Sequence, residues 1–446
     1  MKRPIATAIA AIALVGGAGY WWNLQDEQGE RSGLEGRALA QSSPGFGAAD
    51  YGTALSYADI EVDKRRALLA AAPDQWIKQE GLAAALMGRF RLTGDYSDID
   101  EARTLLDAAL ESAPAPAGPN ISRAVLAMAE HDLASTGTAL DRYDRTAIKN
   151  PGDQSDAFAM RGDIAFQHGK LEEARELYRR ADAIAPAIAS KVRLAEIELR
   201  TGNPRAAIAI TESALIEQQK LTPGDYADMA LLIANQHYAA GDIAGAGAWI
   251  DRANESFPGY WLAQAYDAQQ RAVEGDVSGS IAALSALAET SAQPEVMDAL
   301  TGILREAGQT DAAVTWAERA AALWEERLKT APAAYRLHAA EHFLDFGDPK
   351  RALALARAEI AQRPSAVAIE VMASALTANG KPQEALRWLD RAQQAGWSMT
   401  SLTLARANAL DALGREDEAT QLRAKAAEGA SLAGDPRRPL IRFGHY

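Results

Sequence analysis

The sequence predicts an all-α fold, a solenoid of stacked helical hairpins, and two recurring features support this prediction. Eight glycines return at intervals of 33 to 39 residues between positions 169 and 414. A small residue, alanine or serine, stands five positions after each of them. A fixed period of this size is typical of repeat proteins in which every unit is one supersecondary motif. The glycines are Gly169, Gly202, Gly241, Gly275, Gly308, Gly347, Gly380 and Gly414.

Each unit contains two amphipathic helices separated by the glycine. In the stretch around Gly169, apolar residues recur at helical spacing both before and after the glycine. A glycine can end the first helix in a left-handed conformation, and the small residue then permits the two helices to approach closely. Two earlier turns, at Gly94 and Gly137, fit this pattern less well and are interpreted as divergent units.

The unit from Ser155 to Pro186 resembles a tetratricopeptide repeat. The family's consensus order is matched by Phe158, Gly162, Gly169, Ala174, Tyr178, Ala181 and Pro186. The resemblance runs from about residue 73 to 428, with a period near that of the family. It implies a right-handed superhelix of about ten hairpins, whose concave groove is lined by the first helix of each pair.

Composition narrows the range of functions. Asp and Glu number 60 against 46 Lys and Arg, so the net charge of −14 argues against a nucleic-acid partner. The chain has no cysteine, which excludes disulfides and thiolate metal sites. No phosphate-binding loop or nucleophile motif occurs, so no cofactor is predicted.

The N-terminus predicts a membrane anchor or an export signal over residues 1–24. Lys2 and Arg3 precede an uncharged run, residues 4–24, that is long enough to cross a bilayer of about 30 Å. The charge bias orients the repeats toward the periplasm, outside the inner membrane. A secretory signal cut after Ala18 is the alternative, and the anchor is favoured because Trp21 and Trp22 suit the membrane interface.

Three further segments lie outside the repeats. Residues 25–50 are rich in Gly, Ser, Gln and charge and are interpreted as a flexible linker. Residues 51–72 predict an amphipathic capping helix before the solenoid of residues 73–428. The tail, residues 429–446, carries Arg437, Arg438 and Arg442 and is either an extended partner-binding segment or a frayed terminus, with the frayed terminus favoured.

One motif raises the possibility of catalysis. The stretch HAAEH places His338 and His342 on one face of a helix with Glu341 beside them, the order found in inverted zinc proteases. A catalytic zinc needs a third protein ligand, and the sequence nominates none. Ordinary groove-lining histidines are therefore favoured and no metal is predicted. Adventitious binding of a divalent metal ion is an alternative, and a zinc-dependent hydrolase is the remote one.

The resemblance also implies which residues face the groove, namely those six and three positions before each turn glycine. The resulting polar and apolar ladder suits an extended peptide with apolar and basic side chains. The chain is accordingly predicted to be a non-catalytic protein-interaction scaffold of the bacterial envelope, supporting export, maturation or biogenesis, with a soluble periplasmic peptide-binding adaptor as the alternative. The predicted groove residues are Asp163, Phe166, Glu196, Leu199, Asn235, Tyr238, Gln269, Arg305, Glu341 and Asn408.

Overall fold

The computed structural model describes residues 46–217, 221–428, 432, 435 and 437–443. Within them the fold contains 21 α-helices and no strand, which confirms the all-helical prediction. The predicted anchor, residues 1–24, and most of the linker lie outside the described residues. Of the described helices, none is both long and apolar enough to span a bilayer.

A single helix precedes ten consecutive helical hairpins. The first helix, α1, covers Tyr51–Ala70, and Asp50 caps it by accepting a hydrogen bond from the backbone N–H of Thr53 (2.8 Å). The hairpins follow as α2 (Trp76–Thr93) and α3 (Tyr96–Ser112), α4 (Asn120–Ala129) and α5 (Leu133–Asp144), α6 (Pro151–Gln167) and α7 (Leu171–Ile184), α8 (Ile188–Arg200) and α9 (Pro204–Glu217), α10 (Pro223–Ala240) and α11 (Ile243–Ser256), α12 (Trp261–Glu274) and α13 (Val277–Ser291), α14 (Pro294–Glu306) and α15 (Thr310–Thr330), α16 (Pro332–Asp345) and α17 (Pro349–Ile360), α18 (Ala366–Ala378) and α19 (Pro382–Gln394), and α20 (Thr400–Asp411) and α21 (Glu416–Glu428).

The recurring glycines lie at the turn inside a hairpin. All of the eight except Gly347 have positive φ, the left-handed conformation that glycine adopts without steric cost. At Gly347 the reason is a close approach instead, because an added Cβ would lie 2.8 Å from the ring of Phe343. Acidic residues directly after some turns cap the second helix, as where Asp242 accepts a hydrogen bond from the N–H of Gly245 (2.9 Å).

The second hairpin turns at a different residue from the one expected. Gly137 lies inside α5, so its interpretation as a turn is wrong. The turn is made by His131, which has a positive φ of 59°. Five positions later Thr136 occupies the place of the usual alanine and is fully buried. This unit keeps the geometry of the repeat while losing both of its diagnostic residues.

Small residues allow the two helices of a hairpin to pack closely. Ala174, Ala207 and Ala385 have no exposed surface, and the corresponding positions in the other hairpins are buried as well. Ala207 packs with Ala195 and Leu199. The hydrophobic core is therefore a layer that continues from one hairpin to the next, as expected of a solenoid.

First helices line the concave side. Among helices separated by one other helix, the close contacts join first helices to first helices, such as α10 to α12, α12 to α14 and α16 to α18. A curved stack brings its inner elements nearer to one another than its outer elements. The second helices consequently form the outer surface.

The solenoid also contacts itself across distant hairpins. The N–H of Ser398, before the tenth hairpin, donates to the carbonyl of Arg200 in the fourth (2.9 Å). The side chain of Gln293 donates to the carbonyl of Thr93 in the first hairpin (3.1 Å). These contacts join residues about 200 positions apart and narrow the space that the concave side encloses.

We expect Ala207→Leu to destabilise the fourth hairpin, because the added side chain has no space between the helices. Overpacking of this kind costs roughly 1 to 3 kcal/mol of unfolding free energy. Ala206→Leu is the matched control, since Ala206 is the exposed neighbour on the same helix. Chemical denaturation of both variants measures the difference, and equal curves would contradict the assigned packing.

Replacement of Gly202 should disturb the contact between distant hairpins. An alanine Cβ there would lie 2.9 Å from the carbonyl oxygen of Ser398, and φ is +90°. At Gly308, φ is +73° and an added Cβ meets nothing within 4 Å. Gly308→Ala should therefore lose only the roughly 1 to 2 kcal/mol of backbone strain, whereas Gly202→Ala should lose more.

The comparison is made by measuring the unfolding free energies of the two glycine variants, together with the radius of gyration in solution. We expect the radius of gyration to increase for Gly202→Ala alone. Identical losses and identical radii would mean that the fourth and tenth hairpins do not touch in solution.

Candidate functional site

Polar side chains lie on the concave side of the sixth, seventh and eighth hairpins. Tyr266 and Gln269 stand three residues apart on α12 and so share one face of that helix. Asp298 lies on α14, and Asp345 ends α16. Gln269 and Asp298 have no exposed surface. Buried polar groups require hydrogen-bonding partners, and each of these two obtains at least one from a distant part of the chain.

Residues 437–443 provide those partners. Arg438–Leu440 form a short 3-10 turn against α12 and α14, and Leu440 and Phe443 pack on the core. The expectation of a frayed terminus is therefore wrong for this stretch, which we call the C-terminal segment. The reason is that its apolar residues pack on the core layer, while Arg442 binds carboxylates in the groove.

The groove binds the backbone of the C-terminal segment through two side chains. The Oε1 atom of Gln269 accepts hydrogen bonds from the backbone N–H groups of Arg442 and of Phe443, the latter at 3.1 Å. The hydroxyl of Tyr266 donates to the carbonyl of Phe443 (2.9 Å). Asn235 in turn donates from its Nδ2 to the Tyr266 hydroxyl (2.7 Å), which fixes the position of that oxygen. Such contacts hold a peptide backbone whatever its side chains are.

The side chains of the segment are bound separately. Arg442 donates from Nη2 to Asp298 (3.1 Å) and from Nη1 to Asp345 (2.8 Å). The ring of Phe443 stacks on Tyr266 with ring centres 5.3 Å apart and planes inclined by 28°. Two carboxylates and one aromatic face thus specify an arginine followed by an aromatic residue.

Asp298 is the centre of a hydrogen-bond network. Its Oδ1 atom meets Nδ1 of His342 (2.6 Å), and its Oδ2 atom accepts from the indole N–H of Trp324 (3.0 Å) as well as from Arg442. Burial disfavours the charge on the Arg442 guanidinium, but Asp298, Asp345 and Glu341 outweigh this and raise its pKa. The arginine therefore enters the groove as a permanent cation.

Four of the predicted groove residues lie at or beside this site. Gln269 binds the segment directly, Asn235 acts through Tyr266, and the charge of Glu341 acts on Arg442. Arg305 donates to the carbonyl of Asp345 (2.7 Å). Tyr238, expected to be an apolar anchor, has no exposed surface, so a partner in the groove does not meet it in this conformation.

Two predicted acidic residues are paired within the earlier hairpins. Asp163 accepts two hydrogen bonds from Arg193 (2.6 and 2.7 Å) and one from the hydroxyl of Tyr178 (3.0 Å). Burial raises the pKa of Asp163 to about 6, although Arg193 opposes this shift. Glu196 pairs with Arg200 one turn later (2.6 Å). Asp163 is thus paired with the next hairpin and Glu196 with its own helix.

The remaining predicted residues lie apart from the site. The ring of Phe166 is buried edge-on against Trp397, with ring centres 4.9 Å apart, and belongs to the contact between distant hairpins. Leu199 is buried in the fourth hairpin. Asn408 accepts a hydrogen bond from Arg423 (3.0 Å) in the last hairpin. The ten residues do not form a single site.

The HAAEH stretch does not bring together a metal-ligand set. His342 is buried on Asp298, whereas Nδ1 of His338 lies 3.4 Å from Glu341 and its ring stacks on Trp324. Across the described part of the chain, no three His, Cys, Asp or Glu side chains converge in a way that could hold a metal ion. In this structure the two histidine rings serve different carboxylates.

Sequence reasoning missed Tyr266, Asp298 and Asp345 as binding residues and left Arg442 open. A signal was present in the pattern of charges. Asp298 is an acid inside the apolar stretch of α14, and Arg442 follows the apolar residues Pro439 to Ile441. A lone charge in an apolar run is costly to bury and marks a position that needs a partner of opposite charge.

The chain resembles known repeat proteins. Residues 125–187, 192–260 and 337–400 match the family model "Tetratricopeptide repeat", so the predicted resemblance is confirmed in these stretches. No curated protein matches the chain.

The chain is also similar to solved structures, with low sequence identity. Yeast Tom70 is 14% identical, with 85% of this chain and 91% of that chain covered and a TM-score of 0.43. A human IFIT1 dimer with m7Gppp-AAAA is also 14% identical, with 92% of this chain and 96% of that chain covered and a TM-score of 0.41. Because both TM-scores are low, nothing about the ligand of this chain follows from them.

Loss of the Gln269 acceptor should release the C-terminal segment. In Gln269→Leu the two backbone N–H groups lose their partner, so we expect trypsin to cut after Arg442 faster than in the unmodified chain. Gln270→Leu is the matched control, because the neighbouring Gln270 is buried but bonds to Tyr238 and Glu274 instead. Mass spectrometry follows the loss of the last four residues, and equal cutting of both variants would contradict the contact.

Proposed function

We propose that this protein is a non-catalytic scaffold that binds an extended segment of a partner protein in its concave groove. The single observation that carries the proposal is the way in which the groove holds residues 437–443. Gln269 and Tyr266 bind peptide N–H and C=O groups, and Asp298 and Asp345 bind a basic side chain. These are interactions of peptide recognition, and tetratricopeptide repeats are generally protein-binding units.

We further propose that the scaffold is tethered to the inner membrane of a bacterium, with its repeats in the periplasm, where it supports an export, maturation or biogenesis complex. This part rests on the sequence alone. Basic residues precede the uncharged run of residues 4–24, and acidic residues follow it. The alternative, a soluble periplasmic adaptor, rests on the small residues Gly16 and Ala18, which fit a cleavage site.

Crosslinking tests the scaffold function. A photoreactive amino acid replaces Arg305, which lies on the first helix of the seventh hairpin, or Val314, which is exposed on the second helix of the same hairpin. We expect one defined adduct with a partner protein from position 305 in intact cells and none from position 314. Equal adducts from both faces, or none from position 305, would contradict partner binding in the groove.

Cell fractionation tests the anchor. If residues 4–24 remain attached, the protein sediments with inner membranes, resists alkaline extraction and keeps its full length, and Ala18→Leu changes nothing. If Ala18 ends a cleaved signal, the unmodified protein is soluble and begins at Gly19, whereas Ala18→Leu blocks processing. The second result would contradict the membrane-anchor hypothesis and support the soluble adaptor.

A further inference from the structure

We propose that the groove of the sixth to eighth hairpins is a recognition site for a partner segment in which arginine is followed by an aromatic residue. The protein's own Arg442 and Phe443 occupy this site as an internal competitor that the partner displaces. The inference rests on the proposed scaffold function and names the chemistry of its partner.

The C-terminal segment shows what the site selects. The two N–H groups bound to Gln269 belong to consecutive residues, so the backbone bends here and directs both groups to one acceptor. The carbonyl of the second residue is bound by Tyr266, whose ring also receives the aromatic side chain. Backbone and side-chain contacts thus fall on the same two residues and fix their order.

Arginine suits the two carboxylates better than lysine does. Nη1 and Nη2 of Arg442 reach different acids, Asp345 at 2.8 Å and Asp298 at 3.1 Å. The guanidinium also lies over the ring of Phe346, 5.8 Å from its centre. A lysine ammonium is a compact point charge without this planar fork, so it cannot reproduce the geometry.

The C-terminal segment is more exposed than a segment that is permanently built into the core. Every described residue from 437 to 443 keeps some exposed surface, whereas Gln269 and Asp298 beneath them have none. The side chain of Asp345 is 49% exposed, so one of the two ion pairs is open to solvent. The segment therefore lies in a surface groove from which it can leave without unpacking the solenoid.

The groove itself requires an occupant. Without Arg442, the described partners of the Asp298 carboxylate would be Trp324 and His342 alone. The Nε2 atom of Gln269 is buried and, among the described residues, has no hydrogen-bond partner. A partner peptide can supply both an arginine and a carbonyl for this amide, which gives it an advantage over the protein's own segment.

Tethering sets the threshold that a partner must exceed. A segment attached to the same chain competes at an effective concentration of roughly millimolar. A partner peptide that binds alone with micromolar affinity is therefore masked in the unmodified protein. Weakening the internal segment should unmask the site.

Peptide binding by the full-length protein tests the proposal. The probe is a fluorescent peptide with the sequence of residues 437–443 and an amidated C-terminus, measured by anisotropy. We expect the peptide to bind Arg442→Ala/Phe443→Ala at least about tenfold more tightly than it binds the unmodified chain, because the internal competitor is lost. Arg437→Ala is the control, since Arg437 pairs with Asp435 two residues earlier in the chain (2.6 Å), and it should behave like the unmodified chain.

Further variants locate the site and guard against misfolding. Adding Asp345→Asn to the double variant should weaken its affinity for the peptide. A peptide in which lysine replaces the arginine next to phenylalanine should also bind more weakly than the original peptide. Phe443→Ala alone leaves Arg442 on the buried carboxylate, so this milder variant should show intermediate affinity. Circular dichroism confirms that each protein is folded.

Two outcomes would overturn the inference. One is a folded double variant that does not bind the peptide, and the other is equal affinity for the double variant and the unmodified chain. If either occurs while position 305 still crosslinks to a partner, the scaffold function stands and only the arginine–aromatic specificity fails.

Discussion

A carboxylate buried in the concave wall of the solenoid sets the conditions for the site. Asp298 has no exposed surface, and a charge in such a place is tolerated only when hydrogen bonds and an opposite charge surround it. Trp324 and His342, from the second helix of the same hairpin and the first helix of the next, hold the carboxylate in place. Arg442 supplies the charge. The position of the C-terminal segment follows from this need.

The scaffold can hold such a group because its hairpins are packed closely and contact one another across the groove. Small residues let paired helices approach, and first helices converge on the inner side. Contacts such as that between Ser398 and Arg200 link distant hairpins. Neighbour-to-neighbour packing alone would leave a solenoid free to flex, because each repeat touches only the next. The additional contacts favour a fixed spacing between the helices that line the site.

The hairpins could be predicted from the sequence because they depend on local contacts. The glycine and the small residue that define a turn stand five positions apart, so their relation is visible in the chain itself. Counting from those turns also located Gln269 on the groove side. The turn of the second hairpin could not be predicted in this way, because His131 adopts the conformation that glycine usually supplies. The contact between Arg442 and Asp298 could not be predicted for another reason. The two residues are far apart in sequence, and no periodic pattern relates them.

The central claim is that the C-terminal segment occupies the groove in the unmodified protein, and amide hydrogen exchange of Arg442 and Phe443 tests it most directly. Both N–H groups donate to Gln269, so they should exchange at least about tenfold more slowly in the full-length chain than in a free peptide of the same sequence. Exchange at the rate of the free peptide would show that the segment does not reside in the groove and would contradict the account.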